Sequence, residues 1–318
     1  MEIDFSERSR RLKNMTGHLE LARDFPLLSE IKIDKELFGA LLFYTKLYLC
    51  SSLKAAGVLR SFESESLLTD FYDEIMRLPN LTPNGVLVPK KDNFVEFNLL
   101  HHCVSMVFKS LGLDSFIDRI RLPAVPRVVD GKLDPVKDSR PYSSVKLHSD
   151  IWNGDPLREI VVFIPVLGSI EKTNIEFFEP DEKVMSRWID ILPDYGLGAE
   201  LLSHSKKYDC VWRSGYIYLM DQFLLHRTIK TGGGIRISIE FHFMPNELVS
   251  SDAAGRDPSE RIIKRQFANL ATWYGLGDEY MFVARESFEE TRAKIAAREF
   301  HKISSINDAT NFSLVKIY

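Results

Sequence analysis

From Ile235 to Phe243 the chain alternates without a break. Ile235, Ile237, Ile239, Phe241 and Phe243 are apolar, and Arg236, Ser238, Glu240 and His242 between them are polar. Nine residues of period two predict a strand with one face against an apolar layer. The other face is a row of four polar side chains. A polar group taken from water without a partner is costly, so that row needs hydrogen-bonding or charged company.

The sequence before this strand has a related texture. Short stretches rich in Val, Ile, Phe and Tyr, separated by Gly, Pro, Asn and Asp, predict strands near Ile117–Leu122, Pro126–Val129, Ser144–Ile151, Glu159–Val166, Ile175–Phe178, Tyr208–Trp212 and Tyr216–Leu219. Many short strands with turn chemistry between them fit an α+β chain with a jelly-roll or barrel core, not a doubly wound sheet. Residues 1–115 read as a helical flank, with apolar spacing predicting helices over Asp34–Phe62, Ser64–Arg77 and Asn93–Leu111. A helix is expected at Lys183–Leu192, inserted between strands. Residues 246–318 read as a second helical flank, with Pro258–Leu270 and Glu286–Phe300 the clearest segments. One domain with its β-core at 116–245 fits better than two.

Composition narrows the classes of function. The 318 residues are 45% hydrophobic and 27% charged, as in globular proteins. Net charge is −4, which gives no bulk attraction to nucleic acid or an anionic membrane. No apolar run reaches the ~18 residues that a bilayer requires, and the charged N-terminus does not read as a secretory signal. The three cysteines form no CxxC pair, so a reducing, cytoplasmic location is expected. Phosphate-binding loops, a GxSxG nucleophile elbow and an HExxH helix are all missing.

Chemistry concentrates in Lys146-Leu147-His148-Ser149-Asp150-Ile151-Trp152. On a strand, His148, Asp150 and Trp152 would share one face. Imidazole and carboxylate at this spacing make two-thirds of the 2-His-1-carboxylate triad that holds non-haem Fe(II). His226, placed after a strand and before a turn, is the candidate third ligand. Arg236, ten residues later, would take a carboxylate in a bidentate fork, with the Ser238 hydroxyl as a further donor. Against this stand a buried ion pair of Arg236 with Glu240, and a Ser238 that merely satisfies backbone.

This set, HxD with a distant His and then Arg-x-Ser, resembles the Fe(II)/2-oxoglutarate-dependent oxygenases. Leu-His-Ser-Asp-Ile-Trp-Asn-Gly followed by Glu-Ile-Val-Val-Phe-Ile-Pro-Val is similar to the branch typified by StrG of the streptomycin cluster and other sporadic carbohydrate-cluster oxygenases. The resemblance covers about Val125 to Pro245. It implies a double-stranded β-helix in which His148, Asp150 and His226 bind Fe(II), with O2 as the oxidant. Arg236 and Ser238 would hold the far carboxylate of 2-oxoglutarate, which leaves as succinate and CO2. Asp150 argues for hydroxylation or another oxidation, since related halogenases lack that carboxylate. The implied substrate is a small carbohydrate-derived molecule: a sugar, aminoglycoside or nucleotide sugar.

Other residues are open to two readings. Trp152 either stacks on a sugar ring or packs in the core. Lys146 either steers an acidic ligand or is solvated. Arg127 is a candidate contact for the cosubstrate's C1 carboxylate or for substrate. Asn174 falls where related enzymes place a polar cosubstrate contact. His242 shares the parity of Arg236 and Ser238, and a hydrogen-bonded core histidine is the expected reading. The same chemistry on an amino-acid, lipid-like or other natural-product substrate is the alternative, as is a non-redox metal- or sugar-binding jelly roll. The helical flanks would supply a lid or a homodimer interface.

Overall fold

A computed structural model of the chain describes residues 4–19, 22–58, 67–132, 138, 140–246, 267–296 and 312–317. Helix α1 (Phe5–Thr16) leads into strands β1 (Ala22–Phe25) and β2 (Leu28–Lys32), then the long helix α2 (Lys35–Ala55). Short helices α3 (Leu67–Asp70) and α4 (Tyr72–Met76) precede α5 (Phe94–Lys109). Strands β3 (Ile117–Arg121), β4 (Val125–Asp130), β5 (Ile160–Gly168) and β6 (Thr173–Pro180) follow, with helix α6 (Glu182–Met185) after them. Next come β7 (Ser205–Lys207), β8 (Tyr216–Asp221), β9 (Leu225–Lys230) and β10 (Ile235–Pro245). The last elements are β11 (Phe267–Ala268), α7 (Leu270–Tyr274), β12 (Tyr280–Ala284), α8 (Phe288–Ala296) and β13 (Phe312–Lys316).

The described strands form an eight-stranded sheet in the order β1-β2-β8-β5-β10-β3-β11, with β4 also on β10, and a three-stranded sheet, β7-β6-β9, apart from which β12 pairs β13. All pairings within these two sheets are antiparallel. Strand β10 is the hub of the large sheet. Along one edge it pairs β4 from Ile235 to Glu240 and β3 from Phe243 onward, and along the other it pairs β5.

Alternation decides which layer each side chain enters. Ile160, Val162 and Ile164 of β5, Ile217 and Leu219 of β8, and the five odd residues of β10 join one core with α2 and α5. Val161 and Phe163 of β5, with Tyr218 and Met220 of β8, join a second core with Ile175, Phe177 and Leu225 of the small sheet. The polar row of β10 lies on the side of that second core. Arg236 reaches across it to donate to the Thr173 carbonyl of β6 at 2.6 Å.

Helix α2 starts where predicted, because the Asp34 carboxylate accepts from the amides of Glu36 and Leu37. Asn93 does not cap α5 through its side chain. Its amide oxygen accepts from Lys90 N–H and its NH2 donates to Ser52 Oγ, so it ties α5 to α2. The N-terminal flank is not wholly helical: β1 and β2 extend the large sheet through β8, where four- and five-residue strands are too short to print a clear period. The helix expected at Lys183–Leu192 shrinks to α6, and Tyr208–Trp212 is irregular, with the strand falling just before it. Of the expected Pro258–Leu270 helix, 258–266 lie outside the described residues, as do 59–62, 64–66 and 297–300 of the other predicted helices. Among the described residues no helix is long and apolar enough to cross a membrane.

Candidate functional site

Two stretches of backbone build the histidine pair. His148 and His226 form an isolated antiparallel bridge, each amide donating to the other's carbonyl at 3.0 and 2.8 Å. The two imidazoles therefore lie side by side, with centroids 4.1 Å apart. The expected strand over Ser144–Ile151 is reduced to this bridge. Asp150 instead opens a 3-10 turn, Asp150–Asn153, closed by Gly154 at φ +85°, where a glycine is favoured. The turn, not strand alternation, brings the carboxylate back: Asp150 Oδ1 is 3.9 Å from Nε2 of both histidines. His226, expected beyond a strand, lies within β9.

The tautomers follow from the hydrogen bonds. His148 Nδ1 faces the Lys146 carbonyl at 2.8 Å and His226 Nδ1 faces the Leu224 carbonyl at 3.3 Å. A carbonyl only accepts, so each Nδ1 carries the proton and each Nε2 offers a lone pair towards Asp150. Burial, and for His148 its neighbour His226, holds the two rings neutral, at about 3 and about 4. Burial also pushes the Asp150 carboxyl up, with Asp155 and Glu240 adding to the rise against His148. One ligating atom from each of the three residues lies within 4.8 Å of the others. Two neutral imidazole nitrogens and a carboxylate, oriented from behind by carbonyls, are a donor set suited to a divalent transition metal.

The support behind this set reaches far along the chain. Ser149, between the two motif residues, donates to the Gln222 carbonyl at 2.6 Å. Asp221, next to Gln222, is fully buried and accepts from Arg8 Nε at 2.9 Å and Arg11 at 3.1 Å, both on α1. The Tyr195 ring stacks on His148 at 4.5 Å and 12°.

Arg236 is buried, and burial with the nearby Arg127 lowers its guanidinium to about 9. The alternative ion pair with Glu240 does not form, because Glu240 pairs with Arg127 at 2.9 Å. Among the described residues Arg236 Nε has no partner, and neither does the buried Thr173 Oγ1, on the residue whose carbonyl Arg236 does reach. An unpaired buried cation beside an unpaired hydroxyl fits an incoming carboxylate. Ser238 is buried on the same face, opposite Arg127 on β4 and Pro165 on β5.

The remaining candidates divide. Asn174 is half-buried on β6, and its side-chain oxygen is taken by the Ile175 amide at 2.7 Å. Lys146 pairs with Asp194 at 2.8 Å. Trp152 is fully buried, its Nε1 donates to the Trp188 carbonyl at 2.7 Å, and its ring lies against Gly198, where a Cβ would come within 2.3 Å. It is packed as a core aromatic. His242 is the hydrogen-bonded core histidine expected, 3.0 Å from Glu159.

His242 belongs to a chain of charges that sequence reading missed. Arg121 donates to Glu159 at 2.8 Å and pairs with Asp155 at 3.0 Å. Glu159 meets His242 Nδ1, and His242 Nε2 lies 3.6 Å from Glu240, which Arg127 holds. The Gln222 amide donates to Glu159 at 3.2 Å. Tyr195 and Thr173 were also missed. Only Asp155 and Glu159 left a signal, two acids just ahead of an apolar strand.

No family model matches the chain, and no curated protein matches it. Among solved structures, AviO1 from Streptomyces viridochromogenes Tue57 is similar at 15% identity and a TM-score of 0.41, over 81% of this chain and 100% of that one. The non-heme alpha ketoglutarate dependent epimerase SnoN from nogalamycin biosynthesis is similar at 12% identity and 0.34, over 78% and 93%. An N-substituted L-amino acid dioxygenase from Burkholderia ambifaria AMMD, in complex with alpha-KG, gives 12% and 0.34, over 70% and 83%.

Proposed function

We propose that this chain is an Fe(II)- and 2-oxoglutarate-dependent oxygenase whose two facing sheets are a double-stranded β-helix, and that it hydroxylates or otherwise oxidises a carbohydrate-derived small molecule. The observation that carries the reading is Arg236. A buried guanidinium that spends one N–H on the Thr173 carbonyl and leaves its Nε without a partner among the described residues, on the strand that follows the third ligand, fits an anionic cosubstrate.

His148, Asp150 and His226 would hold the iron through Nε2, a carboxylate oxygen and Nε2. With 2-oxoglutarate and O2, that iron supplies the oxidising chemistry, and succinate and CO2 are the co-products. The chain's own residues do the rest. The Lys146 and Leu224 carbonyls hold the Nδ1 protons and so keep both Nε2 atoms as donors to the metal. Arg236 binds the far carboxylate of the cosubstrate, with the Ser238 and Thr173 hydroxyls beside it. Tyr195 covers one face of His148 and keeps water from it. Asp150 fills the carboxylate position, which supports oxidation over halogenation. The substrate class is supported by the likeness of residues 147–154 and 159–166 to the StrG-like branch.

Anaerobic titration with Fe(II) and then 2-oxoglutarate tests the reading. A visible metal-to-ligand charge-transfer band that needs both is the expected result. Normal iron binding without the band would remove 2-oxoglutarate from the site and turn the assignment towards a metal-binding jelly roll.

A further inference from the structure

The polar row of β10 has two halves. Arg236 and Ser238 are absorbed by the cosubstrate, on the reading above. Glu240 and His242 are not, and they continue the row in a layer whose neighbours on β5 and β8 are Val161, Phe163, Tyr218 and Met220. Each belongs to the chain of charges from Asp155 to Arg127. Burying such a chain is weak support for stability, because apolar residues of similar volume often hold a fold as well or better. Its presence calls for another use.

Burial along the chain points to one. Side-chain exposure is 0% at Glu159, 6% at Asp155 and His242 and 8% at Arg121, then rises to 13% at Glu240 and 28% at Arg127. The closed end is fully paired. The open end lies beside the proposed metal triad: Glu240 stands opposite Phe163 of β5, whose ring centroid is 6.1 Å from that of His226, and Arg127 is paired with Glu240 at 2.9 Å. Asp150 itself is 17% exposed. Solvent therefore reaches this part of the protein at Asp150, Glu240 and Arg127, and the buried groups behind them fix that opening.

We infer that Arg127 and Glu240 are the substrate-selecting pair, and that they take adjacent hydroxyl groups, or a hydroxyl beside an amine, on a polyhydroxylated substrate. The inference rests on the proposed iron and 2-oxoglutarate site, and it assigns the substrate side of that site to residues of this chain. An ion pair with no net charge does not select for net charge. It offers guanidinium N–H donors and carboxylate acceptors within 3.0 Å of each other, so its complement is a group that accepts and donates on neighbouring atoms. Vicinal hydroxyls do so. An acyl chain would strip water from the pair and return no hydrogen bond, which penalises lipid-like substrates. His242 and Glu159 act as positioning residues behind Glu240.

The test uses the full chain loaded anaerobically with Fe(II) and 2-oxoglutarate. The probes are a panel of methyl glycosides and amino glycosides, with sodium decanoate and L-leucine as comparators. At least one glycoside should perturb the charge-transfer band of the unaltered protein. Glu240→Gln and the milder Arg127→Lys should each weaken that response tenfold or more, a larger change than either makes to the Fe(II) or 2-oxoglutarate midpoint. The inference is overturned if only decanoate or leucine perturbs the band, if no glycoside does, or if both variants respond like the parent. A 2-oxoglutarate midpoint that moves as far as the glycoside response would give the pair to the cosubstrate instead. Absence of the band in the unaltered protein would overturn the proposed function itself, a failure visible before any probe is added.

Discussion

Among the described residues, two groups share the residue types of a metal site. His148, Asp150 and His226 bring ligating atoms within 4.8 Å of one another, and so do Asp155, Glu159 and His242. They differ in what faces the middle. In the first, both Nδ1 protons are spent on backbone carbonyls, and two Nε2 lone pairs and a carboxylate converge on a common point. In the second, the Arg121 guanidinium holds both acids, and His242 Nδ1 is bonded to Glu159. One group lacks a cation, and the other already contains one. Proximity of histidine and carboxylates therefore does not define a metal centre. The direction of the second imidazole nitrogen and the place of the nearest arginine do.

The comparison can be broken most sharply at the two aspartates. Asp150→Ala should remove iron retention by a hundredfold or more in equilibrium dialysis, whereas Asp155→Ala should change it less than threefold; equal losses would erase the distinction. Next in size is Arg121→Met, which leaves two buried acids without their cation. Urea unfolding should show a loss of about 3–5 kcal/mol, against a much smaller loss for Asp150→Ala. Arg236→Ala should raise the 2-oxoglutarate midpoint by one to two decades, about 1.5–3 kcal/mol for a lost charged contact, with the iron midpoint unmoved. If both midpoints rise together, Arg236 belongs to the metal loop and not to the cosubstrate.

The smallest effect is in acid. Burial alone would raise the Glu240 carboxyl, yet Arg127 and His242 bring it down to about 2, from an ordinary 4.5. A depressed carboxyl stabilises the fold fully above pH 4.5, and that contribution is lost as pH falls towards 2. The stability gap between the parent and Glu240→Gln, followed by chemical denaturation, should therefore narrow between pH 4.5 and 2.5. A gap that stays constant over that range would show that Arg127 does not hold Glu240 ionised.

Period two made the β-core legible, since β5 and β8 sort their side chains into the two apolar layers by parity and β10 sorts apolar from polar residues in the same way. It served poorly where the chain bends. His148 and Asp150 were read as neighbours on a strand, yet a bridge and a 3-10 turn set them together, because a turn of four residues leaves no period to read. Tyr195 and Thr173 were invisible for another reason. Each meets its partner only through packing of distant segments, and an isolated Tyr or Thr carries no spacing. The helical reading of residues 1–115 missed β1 and β2, whose pairing is decided by β8, far along the chain.

The anchoring of α1 has a consequence for how the protein is made. Arg8 and Arg11 lie 213 and 210 residues before the Asp221 carboxylate that receives them. A chain synthesised from its N-terminus therefore presents both guanidiniums long before their acceptor exists. The segment that receives them also carries Gln222, whose carbonyl accepts from Ser149. Helix α1 is thus made long before it can be seated, and its docking and the setting of the HxD loop converge on the same few residues. Contacts of such long range favour slow, late closure over early local order.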